Sequence, residues 1–478
     1  MEFWGRHREL GRLRAELDEV IASGQGRMLA VRGRRQAGKS RLLTELVETA
    51  DVPYLYATAV KNAPAQVQVA QVAADMRTSR VRLPDLETAF AATPTSWQDL
   101  LARLPLAFGH QPAIVVLDEF PWASETDDTL EGVLQAAWDR TLERLPVLVV
   151  LVGSDLAMME RLTEHDRPLY GRAREMVVSA LSPAEVGEAF GDAVDPMGLF
   201  DMYLVTGGYP RLVSAARTYD AVQGFVTAQL QDDQSPLSVT GQRMLDAEFR
   251  DAEQARAVLE AIGAVEVGPA TFSSAVTQLG GDDSYAGTAV SRALPTLVED
   301  KQVVAIDIPV GAPAKSKLRR YRIVDPYLRF WFRYCRPHLA DMARGRADLA
   351  VARFERDFAS WRGMAIEPVV REAVSRLAAT DPRLNGVERV GAWWDRTSQH
   401  EFDVVGASRD GTVALLGSVK WRAGRPISSA EARALAAGRA VVPRAAGARL
   451  LAVCPAGALD DAEMDVVLGA DELIAAFG

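Results

Sequence analysis

The sequence is poor in cysteine and lysine and has no long apolar run. Its 478 residues include two cysteines, Cys335 and Cys454, and no CxxC pair, which excludes a disulfide framework and a cysteine zinc site. No apolar run approaches the roughly 18 residues that a membrane helix needs. The N-terminal segment is charged from Glu2 onward and lacks the apolar core of a signal peptide. We therefore expect a cytoplasmic protein.

Basic residues do not dominate the composition. Lys and Arg number 54 against 64 Asp and Glu, a net charge of −10, so a protein coated with basic charge is excluded and any polyanion site must be local. The 48% hydrophobic and 25% charged content is that of a soluble globular chain. A chain of this length exceeds one compact core, and we expect three domains, with two or four as alternatives.

The N-terminal third alternates helical and strand patterns. Apolar spacings of three and four predict helices over 9–23 and 40–50, and short apolar runs predict strands at 28–33, 53–58, 113–117, 147–153 and 176–179. Buried strands with helical returns favour a parallel sheet that is covered on both faces. The predicted fold class is therefore α/β multidomain, with this sheet in the first domain.

Three further sections follow the sheet. A helical section that resembles a lid begins at Ser182, which is the predicted N-cap of its first helix. The next section has the element order of a winged helix-turn-helix, with helices near 240–262, 271–280 and 286–300 followed by two strands. From about residue 340 the pattern is again mixed α/β. The predicted domains are 1–180 (core), 181–235 (helical lid), 236–338 (winged helix) and 339–478 (C-terminal α/β domain).

A phosphate-binding loop lies between the strand at 28–33 and the helix at 40–50. The segment GRRQAGKS satisfies GxxxxGK(S/T) in the strand–loop–helix context that this P-loop motif requires. Its backbone N–H groups and the helix N-terminus would hold phosphate, Lys39 would reach the β- and γ-phosphates, and Ser40 would bind Mg²⁺. The predicted nucleotide-binding residues here are Gly33, Arg34, Arg35, Gln36, Ala37, Gly38, Lys39, Ser40 and Arg41.

Acidic residues end the strand at 113–117. Asp118 would organise Mg²⁺ together with Ser40, and Glu119 would polarise the attacking water, which is typical of hydrolytic ATPases. The alternative is that both acids only cap a helix. Ser154, at the end of the strand at 147–153, is predicted to sense the γ-phosphate, although a serine there is also ordinary turn chemistry.

Taken together, these motifs resemble the archaeal-type ATPases of the AAA+/STAND class, which also occur in bacteria. FWGRHRELGRL looks like the GRxxEL box of that family, and PLYGRA, GGYPR and DPYLRFWFRY look like further family segments. The resemblance implies that Gly5, Arg6 and Glu9 frame the adenine and that Gly208 and Pro210 bring the lid to the nucleotide. Arg172 is either a phosphate-sensing arginine or one partner of a surface ion pair. Arg211 is a second candidate for a phosphate-sensing arginine.

The resemblance also implies a PD-(D/E)xK nuclease fold at the C-terminus. Glu367, Asp403 and Lys420 match the family's helix acid, strand acid and motif lysine, but Ser418 stands where a glutamate is expected. A neutral hydroxyl is a poor substitute for a charged carboxylate ligand of Mg²⁺, so a silent nuclease-like site is favoured over residual activity. Glu401, two residues before Asp403, could compensate.

Basic residues concentrate in the segment 315–346. It holds ten Lys or Arg against Asp325 and Asp341, a local charge of +8 (10 − 2), which favours salt-sensitive contact with DNA phosphates. The predicted recognition helix ends in acids and contains Pro295, which gives little support to base reading. The expected function is an ATP- and Mg²⁺-dependent molecular switch. Two alternatives are a DNA-binding regulator or defence effector, and a protein-interaction scaffold. The sequence leaves open whether the protein forms a homo-oligomer or binds another protein.

Overall fold

The computed structural model describes residues 3–77, 85–109, 111–249, 252–265, 269–280 and 284–478. The chain divides into two compact units, Met1–Ala180 and Leu181–Gly478. The first contains a parallel sheet with helices and the second contains a separate sheet, so the α/β multidomain prediction is confirmed. Within the described residues, no helix is both long and apolar enough to cross a membrane.

Five parallel strands form the sheet that is described in the first unit, in the order β2-β3-β4-β1-β5. The strands are β1 (Arg27–Arg32), β2 (Tyr54–Thr58), β3 (Ala113–Asp118), β4 (Val147–Gly153) and β5 (Ala173–Val177). β3 and β4 are buried throughout, as their continuous apolar runs predict. β5 begins at Ala173 rather than at the predicted Met176, because its edge position leaves Arg174, Glu175 and Val177 exposed and gives no apolar run to detect.

Helices cover both faces of this sheet. They are α1 (His7–Ser23), α2 (Lys39–Thr49), α3 (Ala65–Met76), α4 (Leu86–Ala89), α5 (Trp97–Phe108), α6 (Phe120–Thr126), α7 (Leu130–Arg140) and α8 (Leu156–Arg161), with a 3₁₀ turn at Leu142–Arg144. α1 and α2 pack on one face and α3, α5, α6 and α7 on the other, so successive residues of β3 point into different cores. The carboxyl ends of the strands therefore carry the loops that hold the predicted site.

The second unit begins with helices, several of which start at a capping side chain followed by proline. They are α9 (Pro183–Phe190), α10 (Pro196–Thr206), α11 (Pro210–Ala216), α12 (Val222–Leu230) and α13 (Pro236–Glu248), with a 3₁₀ turn at Gly191–Ala193. Ser182 forms a capping box with Glu185, which confirms the predicted N-cap. The side chains of Asp195 and Ser235 cap α10 and α13 by accepting hydrogen bonds from the backbone N–H groups of Gly198 and Ser238.

The helix predicted near 240–262 is divided in two, because α13 ends at Glu248 and the next helix begins at Glu253. From Glu253, three helices and a pair of strands follow. They are α14 (Glu253–Gly263), α15 (Phe272–Gly280), α16 (Ser284–Pro295), a π turn at Thr296–Asp300, β6 (Val304–Asp307) and β7 (Arg320–Ile323). β6 and β7 are antiparallel, and Ala270 forms a bridge with Tyr321. The assignment of this section as a winged helix remains a prediction.

The rest of the unit packs a long helix on a mixed sheet. Its helices are α17 (Pro326–Phe330), α18 (Leu339–Ala343), α19 (Asp348–Leu377), α20 (Ser429–Val441) and α21 (Ala470–Ala475), with a π turn at Trp331–Cys335 and 3₁₀ turns at Arg336–His338 and Pro382–Leu384. The strands β8 (Arg389–Trp394), β9 (Glu401–Ala407), β10 (Val413–Val419), β11 (Arg449–Val453) and β12 (Val466–Leu468) lie in the order β12-β11-β10-β9-β8. β8, β9 and β10 pair antiparallel, whereas β10, β11 and β12 are parallel.

α19 is longer than the sequence predicts. It begins at Asp348 rather than near Ala365, and Phe354, Phe358 and Trp361 on its first half pack against Tyr334. These rings are spaced four and three residues apart, so they form one face of the helix. The aromatic segment of DPYLRFWFRY therefore forms a hydrophobic joint.

Candidate functional site

The loop between β1 and α2 has the backbone of a phosphate cradle. Gly38 and Gln36 adopt left-handed conformations, with φ of 92° and 64°. A Cβ on Gly33 would lie 2.1 Å from the carbonyl oxygen of Val178, so only glycine fits there. The loop ends in the N-terminus of α2, where backbone N–H groups and the helix dipole favour an anion.

Lys39 lies inside this loop and is nearly buried, with 7% of its surface exposed. Its ammonium Nζ donates hydrogen bonds to the carbonyl oxygens of Gly33, at 2.6 Å, and Arg34, at 3.0 Å. A buried ammonium requires oxygen partners. The loop therefore holds a positive charge among the backbone groups that would surround phosphate oxygens.

Ser40 and Asp118 meet at the end of β3. The Ser40 hydroxyl donates to Asp118 Oδ2 at 2.7 Å, although 77 residues separate the two in the chain. Asp118 is 5% exposed and its Oδ1 accepts from the backbone N–H of Glu119 at 2.9 Å. A hydroxyl and a carboxylate at this distance are the hard oxygen donors that Mg²⁺ prefers, so these residues fit the ion.

A third donor to Asp118 was not predicted from the sequence. Tyr56 on β2 donates its phenol hydrogen to the same Oδ2 at 2.7 Å. Burial and the neighbouring Asp118 carboxylate raise the pKa of Tyr56 above its usual value, which keeps the phenol protonated as a donor. The sequence signal was weak: Tyr56 is one of several apolar or aromatic residues in a short strand.

Glu119 occupies a left-handed backbone conformation immediately after β3, with φ 52° and ψ 39°. This conformation is uncommon for a residue with a Cβ and is often found at functional positions. The hydroxyl of Ser154, which follows β4, donates to the two carboxylate oxygens of Glu119 at 3.1 and 3.3 Å. The predicted water-polarising acid and the predicted sensor are thus hydrogen-bonded neighbours.

Arg6 braces the loop from the N-terminal segment. It is 3% exposed and donates from Nη2 to the carbonyl oxygens of Ala37, at 2.7 Å, and Ser179, at 2.5 Å. Gly5 and Arg6 both have φ of 60°, and Glu9 forms an ion pair with Arg6 at 3.3 Å. These contacts give the GRxxEL segment a role in holding the loop; an adenine contact remains a prediction.

The remaining loop residues have neighbours of their own. Arg35 lies over the ring of Trp122, 5.7 Å from its centroid. Arg41 pairs with Glu45 at 2.8 Å and lies over the ring of Phe3. The predicted nucleotide contacts of Arg34, Arg35, Gln36 and Arg41 remain predictions.

Arg172 forms the ion pair that the sequence left as one of two alternatives. Its Nε and Nη2 donate to the carboxylate of Asp139 on α7 at 2.7 and 2.8 Å, and its Nη1 donates to the carbonyl oxygens of Pro168 and Tyr170. All three guanidinium nitrogens of Arg172 thus donate to protein oxygens. A phosphate-sensing role for Arg172 gains no support from this arrangement.

The GGYPR segment lies in the second unit, where packing explains its glycines. A Cβ on Gly208 would lie 2.0 Å from the carbonyl oxygen of Leu181, and one on Gly207 would lie 2.7 Å from the Cβ of Tyr327. Pro210 is the first residue of α11, and Arg211 follows it. Contact of Gly208, Pro210 and Arg211 with nucleotide remains a prediction, and the close packing is an independent reason for glycine here.

The four C-terminal candidates cluster at the junction of α19, β9 and β10. Asp403 accepts hydrogen bonds from Ser418 Oγ at 3.2 Å and from the backbone N–H of Val419 at 2.8 Å. The positive charge of Lys420 favours the ionised form of Asp403. Burial and the nearby Asp403 raise the pKa of Glu367 to about 7, and burial also raises the pKa of Asp403. The Asp403 carboxylate thus destabilises the charged form of Glu367.

This cluster lacks the ligand set of a metal site. Nowhere in the part of the chain that the structure describes do three or more His, Cys, Asp or Glu side chains gather to hold a metal ion. Glu401, the residue that could replace the missing glutamate, forms a forked ion pair with Arg320, whose guanidinium also lies 4.0 Å from the centre of the Trp394 ring. Glu401 is therefore already paired with an arginine of β7.

The basic segment 315–346 is largely neutralised by acids of the same unit. Carboxylates pair with five of its ten cations, namely Arg320, Arg322, Arg333, Arg336 and Arg346. Arg329 remains charged at neutral pH, because burial lowers its pKa only to about 10, and it donates to the backbone carbonyl of Ala365 at 2.9 Å. The cleft of about 1660 Å³ beside this segment is lined by nine arginines and eight carboxylates, so it is close to neutral. The local charge of +8 therefore overstates the attraction for DNA.

Comparison with known proteins agrees with the first-unit geometry. Residues 2–150 match the family described as AAA ATPase domain, and residues 331–435 match a family described as archaeal and bacterial proteins of unknown function. The uncharacterized protein MJECL04 of Methanocaldococcus jannaschii is 24% identical over 408 residues, 85% of each chain.

Two solved structures resemble parts of this chain at low sequence identity. The Walker-type ATPase paby2304 of Pyrococcus abyssi is 17% identical, with a TM-score of 0.48 over 69% of this chain and 96% of that one. The ORC2 protein of Aeropyrum pernix, in its ADPNP–ADP complexes, is 15% identical, with a TM-score of 0.41 over 73% of this chain and 95% of that one.

Proposed function

We propose that the protein binds ATP with Mg²⁺ in the first unit and hydrolyses it, because residues 2–150 match the family described as AAA ATPase domain. The observation that carries this proposal is the 2.7 Å hydrogen bond between Ser40 and Asp118, beside the buried Lys39. It joins the two halves that a nucleoside triphosphatase needs, a phosphate loop and an acidic strand end.

The residues of the loop divide the task of binding. Backbone N–H groups of 33–40 and the start of α2 face the phosphates, and Lys39 adds a full positive charge. Ser40 and Asp118 would hold Mg²⁺, which supplies charge neutralisation of the β- and γ-phosphate oxygens when bound. Arg6 keeps the loop in shape through the carbonyl of Ala37.

Hydrolysis requires a water molecule and a base. We assign Glu119 as the group that accepts the proton of the attacking water, while a bond forms between the water oxygen and the γ-phosphorus and the bond to the β–γ bridging oxygen breaks. The products are ADP and inorganic phosphate. The hydrogen bond from Ser154 holds the Glu119 carboxylate in one orientation.

We further propose that the second unit reports the nucleotide state, so that the protein acts as a switch. Within that unit, Leu181 donates its backbone N–H to the carbonyl of Gly208, and the buried Tyr209 donates to Asp325, which caps α17. The Tyr327 hydroxyl in turn bonds α13 through Leu237 and Gly241. A displacement at Leu181 would therefore be transmitted to α13 and α17 through buried contacts.

Calorimetry tests the ATPase proposal directly. Titration of the purified protein with ATP and Mg²⁺ should give a saturable heat, and the same protein should release inorganic phosphate from ATP. Absence of any heat of binding would overturn the proposal. Titration with GTP is the matched control for nucleotide selectivity, because it presents the same phosphates with another base.

For the C-terminal domain we propose a role in binding or scaffolding, without nuclease activity. Ser418 cannot replace a carboxylate ligand, and Glu401 is paired with Arg320. Supercoiled plasmid incubated with the protein and Mg²⁺ or Mn²⁺ should remain intact. Cleavage by the wild type that Asp403→Ala abolishes would show that this domain is a nuclease.

The alternative of a DNA-binding regulator or defence effector has little support from charge. Among the cations of 315–346, Lys315, Lys317 and Arg344 are exposed and form no ion pair with described residues. Three exposed cations support only weak phosphate contact, since each neutralised phosphate adds about one unit of salt dependence. The ATP-dependent switch therefore remains the function that the site supports best.

A further inference from the structure

The carboxylate of Asp118 is held by three donors from three different elements. Ser40 on α2 and Tyr56 on β2 both donate to Oδ2 at 2.7 Å, and the backbone N–H of Glu119 donates to Oδ1 at 2.9 Å. Two of these donors belong to motifs that the sequence shows: Ser40 to the GxxxxGK(S/T) loop and Glu119 to the acidic end of β3. Tyr56 belongs to neither motif.

Strand pairing explains how Tyr56 reaches the carboxylate. β2 lies beside β3 in parallel register, with Tyr56 opposite Val116 and Thr58 opposite Asp118. Side chains two residues apart on a strand share a face, so Tyr56, Val116 and Asp118 face the same side of the sheet. That side is the one on which α2 packs, and it brings Ser40 to the same oxygen.

We propose that Tyr56 is a positioning residue for the Mg²⁺ ion of the ATP complex, acting through Asp118. This inference rests on the proposed function. Its phenol hydrogen fixes the rotation of the carboxylate so that Oδ2 faces Ser40, the other residue that would hold the ion. Groups that hydrogen-bond a metal-ligating carboxylate typically contribute a factor of about 10 or more to metal affinity, because they fix its orientation.

The rival role for Tyr56 is structural, since its ring is half-buried and packs against the core beneath α2. The two roles differ in what they do to ATP binding with and without metal. Lost packing would weaken both equally, whereas lost positioning of Asp118 would weaken only the part that Mg²⁺ contributes. The ratio of the two affinities isolates this part.

The test compares Tyr56→Phe with Tyr54→Phe. Tyr54 lies two residues earlier on the same strand, opposite Ile114, and packs against the same core, so it is a matched control. ATP dissociation constants are measured by calorimetry in EDTA and in saturating Mg²⁺, and thermal unfolding without nucleotide checks the fold of each variant.

We expect Tyr56→Phe to bind ATP in EDTA as the wild type does but to lose about tenfold of the enhancement by Mg²⁺. Tyr54→Phe should retain the full enhancement. An unchanged enhancement in Tyr56→Phe, or an equal loss with and without metal, would overturn the positioning role while leaving the proposed function intact. Absence of ATP binding by the wild type would overturn both.

Discussion

Replacing Lys39 with alanine is expected to lower the affinity for ATP about 100-fold, the equivalent of about 3 kcal/mol, and to remove measurable hydrolysis. Lys39 is the nearly buried ammonium that donates to the carbonyl oxygens of Gly33 and Arg34 within the phosphate loop. Its charge would also stabilise the oxygens that gain charge in the transition state, and a single such donor contributes about 10²–10³-fold to turnover. Calorimetry and phosphate release measure the two effects separately.

The control for Lys39→Ala is Lys315→Ala, which removes an exposed lysine from the second unit. The protein has six lysines, so this variant has the same composition and net charge as Lys39→Ala. Lys315→Ala should bind and hydrolyse ATP as the wild type does. If Lys39→Ala protein hydrolyses ATP at the wild-type rate, the assignment of the phosphate loop fails.

The phosphate loop and its acidic partner could be predicted because their positions follow from general rules. A motif of fixed spacing places Lys39 and Ser40 at the start of a helix, and parallel strands bring their carboxyl ends to one edge of the sheet. Asp118, at the end of another strand, therefore had to lie near Ser40. The 2.7 Å hydrogen bond agrees with that reasoning.

The contacts that hold these residues in place could not be predicted. Arg6 donates to Ser179, 173 residues later, and Tyr56 donates to Asp118, 62 residues later. Neither pair has a fixed spacing or a periodic pattern, because tertiary packing alone brings the two residues together. A sequence motif identifies the groups that perform chemistry better than the groups that orient them.

Local charge and glycine patterns do not reveal the tertiary partners of these residues. The arginines of 315–346 appear as an excess of positive charge, but Arg333 pairs with Asp357 and Arg336 with Glu260, both outside the segment. Gly208 has a steric neighbour in the Leu181 carbonyl that a sequence motif cannot reveal. Counting within a window omits partners that are distant in the chain.

Replacing Glu119 with glutamine should separate ATP binding from hydrolysis. A carboxamide cannot accept the proton of the attacking water, so we expect turnover to fall about 10²–10⁴-fold. Glutamine has nearly the same shape, and its side-chain oxygen can still accept the hydrogen bond from Ser154. The affinity for ATP should therefore remain close to that of the wild type.

The control is Glu125→Gln, which makes the same change at an exposed position of α6. It should hydrolyse ATP normally, and equal turnover by Glu119→Gln would show that another group serves as the base.

Because Glu119→Gln retains ATP, it also tests the switch: hydrogen exchange of the backbone around Tyr209 and Asp325 should change with ATP and remain changed. In the wild type the same change should decay as ATP is consumed, since a ligand shifts a conformational equilibrium only while it is bound. If ATP does not change hydrogen exchange in either protein, the switch proposal fails, whereas the ATPase proposal for the first unit still holds.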